Sequence, residues 1–247
     1  MRIEMLYPEV ANLHGDNHNI VYLGQCRPDA EIIRTALTAT PAFVDSAVDL
    51  IYLGPSPESA QVKALARLAP YRERIRELIE EGTAFLFTHN ALEILGETLQ
   101  TADGSEVAGL GLFPLRTRLE MLNRYSGKVL GRAGLGGDPV QIVGYKTQFS
   151  FVEAAEDLPG FLTAERGIGR NRQTRVEGVR QGNFIGTSLV GPLLINNPEF
   201  TKQLLAVLDP DTEPTLAHED LIMSAYQARL ADFTDPKRWH PWEQLES

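Results

Sequence analysis

The stretch FLFTHNALEILG, residues 85–96, decides the fold. Phe85, Leu86, Phe87 and Thr88 make a short apolar run of the kind that fills a buried strand, and Ala91-Leu92-Glu93-Ile94-Leu95 can begin a helix. His89 and Asn90 mark the sharp turn between them. A side chain on such a turn stands clear of the sheet and close to helix N–H groups, the arrangement that presents a nucleophile in α/β-hydrolases. Here the residue is a histidine. His and Asn also enter left-handed backbone more readily than most residues, so the pair suits the turn without any chemistry.

Outward from this turn the same alternation repeats. Upstream, Val48-Asp49-Leu50-Ile51-Tyr52-Leu53 reads as a strand ending at Gly54-Pro55-Ser56-Pro57. Val62, Leu65, Leu68, Ile75, Leu78 and Ile79 then recur at helical spacing, with a break at Pro70 and a stop at Gly82. Nearer the N-terminus, Ile3, Met5 and Tyr7 alternate with polar neighbours, and residues 12–19 (NLHGDNHN) carry turn and cap residues before an apolar helix. Strands alternating with helices of this length predict βαβ units, hence a doubly wound α/β fold with a mainly parallel sheet and helices on both faces. From Gly109 the texture changes to short β-rich runs, with turn signals at Gly136-Gly137-Asp138 and Gln181-Gly182-Asn183, which predict added antiparallel strands. Asn197-Pro198 reads as an N-cap and first-turn proline of a helix through Leu204, Leu205 and Leu208. A last amphipathic helix is expected to carry Leu221, Met223, Tyr226 and Leu230 on one face.

Composition limits the function. The 247 residues suffice for one main domain with a large core. A formal charge of -10 argues against sequence-independent binding to nucleic acid or anionic lipid, because phosphate neutralisation needs a basic surface. No apolar run approaches the roughly 20 residues of a membrane span. MRIEMLYPEV lacks the charged-then-apolar order of a signal peptide, so a cytoplasmic protein is expected. The single cysteine, Cys26, cannot form an internal disulfide or a cysteine-rich zinc site, in keeping with a reducing compartment.

Six motifs in one order carry a family resemblance: NLHGDNHNI from Asn12, DLIYLGPSPESAQ from Asp49, the FLFTHNALEILG elbow, TADGSEVAGLGLF from Thr101, VGYKTQ from Val143 and GTSLVGPLL from Gly186. Together they resemble the class I glutamine amidotransferases. Within these the chain is most similar to the cobyric acid synthase type, and above all to the small amidotransferase subunits of lipid II isoglutaminyl synthases. The resemblance implies a flavodoxin-like fold, an amidotransferase-like domain over residues 1–208, and a C-terminal helix and tail over residues 209–247 packed on that domain or on a partner. It also implies glutamine hydrolysis by an elbow cysteine, a histidine that activates it and backbone N–H groups that hold the oxyanion, with ammonia passed to a synthase. The cysteine position falls on His89 and the small residues after it on Asn90 and Ala91. The histidine position falls on Val190, the oxyanion loop on Gly54, Pro55 and Ser56, and a Glu-x-His pair on Lys146-Thr147-Gln148. No catalytic position is intact.

The resemblance therefore implies a subunit without glutaminase activity that binds a synthase or ligase, such as a Mur-ligase-like partner. The alternative is an amidohydrolase or amidotransferase working by another route, with His89 as base or nucleophile and Gln148, Lys146 or Thr88 assisting. Binding of glutamine or another small amide without turnover is a third reading. His89, Asn90, Lys146, Arg170 and Arg172 are the candidate ligand or partner contacts. Bulky Leu92 and Val190 are expected to fill the old cleft. His14 and His18 read as loop-capping residues, and no metal or cofactor is expected. The run Arg166, Arg170, Arg172, Arg175 and Arg180 reads as a solvated hairpin or an acidic partner's contact. Trp239 and Trp242 read as docking on the chain's own body or marking an interface.

Overall fold

The first half of the chain runs β1 (Arg2–Leu6), α1 (His18–Cys26), β2 (Glu31–Thr35), β3 (Leu50–Leu53), α2 (Glu58–Leu68), α3 (Arg72–Glu81) and β4 (Ala84–Thr88). Eight strands follow: β5 (Thr98–Gln100), β6 (Glu106–Ala108), β7 (Leu115–Leu119), β8 (Tyr125–Ala133), β9 (Val140–Gln148), β10 (Ser150–Ala154), β11 (Leu162–Arg166) and β12 (Val176–Glu177). The chain closes with β13 (Val179–Gln181), β14 (Phe184–Thr187), α4 (Leu193–Asn196), α5 (Pro198–Leu208) and α6 (Glu219–Thr234). The structure is a computed structural model and describes residues 1–240.

A six-stranded sheet has the order β13-β14-β4-β3-β1-β2 and is parallel except for β13, which pairs antiparallel with β14. Its five parallel strands follow the flavodoxin-like order, which reverses between β1 and β3 and opens a crevice beyond their carboxyl ends. Burial on both faces explains the apolar runs. Ile3, Met5, Leu50, Tyr52, Leu86 and Ile185 belong to a core with α1, α4 and α5, while Ile51, Leu53, Phe85, Phe87 and Phe184 join α2 and α3 on the other face. Pro70 lies in a short 3-10 turn that separates α2 from α3, and Gly82, at φ 90°, ends α3 in left-handed backbone.

The added strands form two further sheets, β10-β7-β5-β6 and β12-β11-β8-β9. All their pairs are antiparallel except β5 with β7. Asn197 does something other than cap α5. Its Oδ1 accepts from Val143 N at 2.8 Å and its Nδ2 donates to Val143 O at 3.0 Å, so one side chain pairs the edge of β9 as a neighbouring strand would. The buried face of α6 also differs from the expected one. Ile222, Tyr226 and Phe233 are buried and Leu221 is 72% exposed, because Tyr226 reaches Gln141 O and Phe233 packs edge-on to Tyr145 and Trp239. Trp239 docks on the chain's own body, its Nε1 donating to Phe233 O at 2.7 Å; Trp242 lies outside the described residues. No helix among the described residues is long and apolar enough to cross a membrane.

Candidate functional site

Strand β4 leads straight into the elbow. Thr88 is still extended, and His89 turns to φ 52°. The expected α-helix is replaced by two 3-10 turns, His89–Ala91 and Glu93–Leu95. The reason lies in the carbonyls: Ile94 O accepts from Leu110 N and Leu95 O from Leu112 N and Phe113 N, so the following loop takes the acceptors that a continuing helix would need.

The His89 ring is held in one tautomer. Its Nε2 lies 3.1 Å from Thr147 O, a carbonyl that only accepts, so Nε2 carries the proton and Nδ1 keeps a lone pair. Nδ1 is shielded from solvent and has no hydrogen-bond partner among the described residues. Burial lowers the pKa of His89 to about 4, which leaves the imidazole neutral at physiological pH. His14, also in left-handed backbone, places its ring 5.7 Å from that of His89.

Asn90 closes the neighbouring loop. Its Oδ1 accepts Ser56 N–H at 3.1 Å and its Nδ2 donates to Ser56 O at 2.7 Å. Pro55 and Pro57 on either side bring no N–H at all. Gly54 is required by space, since a Cβ there would stand 2.8 Å from both Ala11 O and the Tyr52 hydroxyl. Gln61 Nε2 donates to Asn90 O and to Glu93 Oε2, and Ser150 Oγ donates to Glu93 Oε1 at 2.5 Å. Burial raises Glu93 to about 7 in spite of these donors.

A cavity of about 530 Å³ opens beside the elbow, within the size range of small-molecule sites. Leu13, His14, Ser56, His89 and Asn90 form its wall at the carboxyl edge of the central sheet, and Leu99, Leu119, Arg124, Gln148 and Phe149 form the wall opposite. Behind the elbow Asp16 is wholly buried, with neither carboxylate oxygen hydrogen-bonded among the described residues. Burial pushes it to about 7, partly offset by the Thr88 hydroxyl and the Gly191 N–H, which are near but outside good hydrogen-bond geometry. No group of three or more His, Cys, Asp or Glu side chains among the described residues could hold a metal ion.

Residues 2–198 match the CobB/CobQ-like glutamine amidotransferase domain. The chain belongs to this family. It is 28% identical over 196 residues to the lipid II isoglutaminyl synthase (glutamine-hydrolyzing) subunit GatD of Staphylococcus aureus, covering 78% of each chain. It is 22% identical over 209 residues to the protein of the same name from Streptococcus pneumoniae, covering 83% of this chain and 79% of that one. Two solved structures share the fold: PurLQS from Thermotoga maritima, with a TM-score of 0.53 at 13% identity over 93% of this chain and 98% of that one, and a glutamine amidotransferase from the same organism, with a TM-score of 0.50 at 10% identity over 94% and 91%.

Within this amidotransferase domain the expected contacts separate. Ser56, His89, Asn90 and Gln148 meet at the cavity. Lys146 and Arg170 do not. Lys146 is buried with its Nζ 2.5 Å from Gly169 O and 3.4 Å from Glu177 Oε1, because an ammonium on the buried face of β9 needs a counter-charge. Arg170 is also buried and donates to the carbonyls of Gly178, Leu158 and Pro159. Arg172 lies in a separate polar hollow with Arg118 and Glu153 and donates to Asn123 Oδ1. The cleft is not filled either. Leu92 is wholly buried in the central core and contacts Gly186, and Val190 makes an antiparallel bridge to Tyr145. Sequence reasoning missed Glu93, Asp16 and Arg124 and gave His14 only a capping role. For Glu93 a signal existed, since it is the one charge in an otherwise uncharged stretch; for Arg124 there was none.

Proposed function

We propose that this chain is a non-catalytic amidotransferase-like subunit that binds a synthase or ligase partner in the cytoplasm, of the Mur-ligase-like kind, and shapes or regulates it. The observation that carries this reading is the closure of the elbow on the 54–57 loop. Hydrolysis of an amide by the family's route needs a thiolate, a base and free N–H donors for the oxyanion. The Ser56 N–H is engaged by Asn90 Oδ1, and the prolines beside it have none to offer. The resemblance places the nucleophile at His89 and the base at Val190, and neither residue type performs that step. Cys26 is no substitute, being buried on α1 with its Sγ accepting from Ala217 N. The relatives are named as subunits of a synthase, which supports the expectation of a partner.

One observation favours a second reading, an amidohydrolase with His89 as base: the neutral imidazole keeps an unshared lone pair beside an open cavity. The two are separated by measuring ammonia and glutamate release from glutamine, by the chain alone and with the synthase or ligase subunit encoded nearest to it. No release and a stable complex on mixing are expected. Release that disappears in His89→Ala overturns the non-catalytic reading and establishes the second.

A further inference from the structure

We infer that the cavity beside His89 binds an uncharged ligand with an apolar body and a carboxamide head, and discriminates against free amino acids. This builds on the reading that the site does not hydrolyse glutamine. The apolar part of the wall is Leu13, Val62, Leu99, Leu119 and Phe149, a surface that gains by covering hydrocarbon and gains nothing from an amino acid's α-carbon charges. The polar part is short of donors. His89 Nδ1 and Gln148 Oε1 are both acceptors without a hydrogen bond among the described residues, on two residues that line the same cavity. A primary amide brings two N–H donors and no net charge, so it satisfies acceptors of this kind without the cost of stripping water from an ion.

Charged heads fare worse for separate reasons. A carboxylate would face two lone pairs and Glu93, while the buried ammonium of Lys146 is already paired with Glu177, and Arg124 is exposed and donates to Thr147 Oγ1. An ammonium would sit in the positive field that Arg124 exerts at His14 and Lys146 at His89, the same field that helps to keep both rings unprotonated. The remaining acids in the lining, Glu58 and Asp103, are exposed and screened by water. Glutamine has the amide but carries both charges with it.

The probes are hexanamide, hexanoate, hexylamine and L-glutamine, tested on the full chain by calorimetric titration and by melting temperature. Hexanamide is expected to bind and raise Tm, octanamide to bind severalfold more tightly per added methylene, and the two charged probes and glutamine to bind at least about tenfold more weakly. Ala102→Trp and, on the opposite wall, Ser59→Trp place a ring in the cavity from exposed positions and are expected to abolish hexanamide binding with the unliganded Tm little changed. The inference falls if hexanamide does not bind, if hexanoate, hexylamine or glutamine binds as tightly, or if both tryptophan variants bind hexanamide undiminished. A chain that releases ammonia from glutamine yet follows this probe order would sink the non-catalytic reading alone. A silent chain that ignores hexanamide would sink this inference alone.

Discussion

Two buried polar clusters border the β9 strand, and they are built on opposite terms. In the first, Lys146 donates to Gly169 O and pairs with Glu177, whose two oxygens also accept from Ser188 N at 2.7 Å and Thr187 Oγ1 at 2.8 Å, while Arg170 meets three carbonyls. Every charge there has a partner. In the second, around the elbow, His89 Nδ1, Gln148 Oε1, Thr88 Oγ1 and both oxygens of Asp16 have none among the described residues. Satisfied buried networks fix a fold, whereas unsatisfied ones are tolerated where a ligand, water or function uses them. The contrast places structural investment on the Lys146 side and leaves the elbow side open to binding.

The contrast is broken most forcefully at Glu177. Glu177→Ala strands the Lys146 ammonium in a dry interior, which costs ~3–5 kcal/mol and, for a chain of this size, lowers Tm by on the order of 10 °C. Thermal unfolding checks this, and a fall of less than about 2 °C would show that water reaches Lys146 and that the two clusters do not differ as described.

A smaller effect sharpens the elbow side. The folded pKa of Glu93, about 7, lies above its ordinary value of 4.5, so the folded chain keeps a proton that the unfolded chain gives up between those values. The stability this supplies is complete below pH 4.5, falls as pH rises and is gone above about 7. Glu93→Gln keeps the shape and can still engage Gln61 and Ser150, and it removes the titration. Its stability relative to wild type should rise by up to ~3 kcal/mol from pH 4.5 to 8. Asp16 adds a slope of the same sign. His89, lowered from 6.5 to about 4, adds the opposite one, losing stability as pH falls through that window. Denaturant titrations of both proteins at the two pH values isolate Glu93, and parallel curves would mean that its carboxyl is ionised throughout.

The part of this architecture that was legible in the sequence is the part set by local periodicity. The apolar runs of β3 and β4, the Pro70 break and the Gly82 stop each follow from neighbours within a few residues. The turn at His89 was legible too, because few side chains accept its φ of 52°. What escaped depends on distant partners. The segment after the elbow fails to become a helix because residues 110–113 take its carbonyls, and Asn197 leaves its cap to pair β9, 54 residues away. The open cavity escaped for the same reason: its second wall comes from β5, β7 and the end of β9, and no spacing around residue 89 foretells where those strands land.

The smallest effect asks what His89 contributes to the fold. Its left-handed backbone costs an ordinary residue roughly 1 kcal/mol, a cost that Gly does not bear. Its Nε2 bond to Thr147 returns about 1 kcal/mol, and both His89→Ala and His89→Gly lose that bond. The two variants share the lost ring and differ mainly in the backbone term, so the glycine variant is expected to be the more stable by about 1 kcal/mol, less whatever its freer unfolded chain takes back. Denaturation midpoints at pH 7.5, where the imidazole is neutral in both states, give the comparison. A glycine variant no more stable than the alanine variant would mean that the turn relaxes once the ring is gone. The strain would then be held by the ring's contacts with Thr147 and His14, and the elbow would belong with the site rather than with the scaffold.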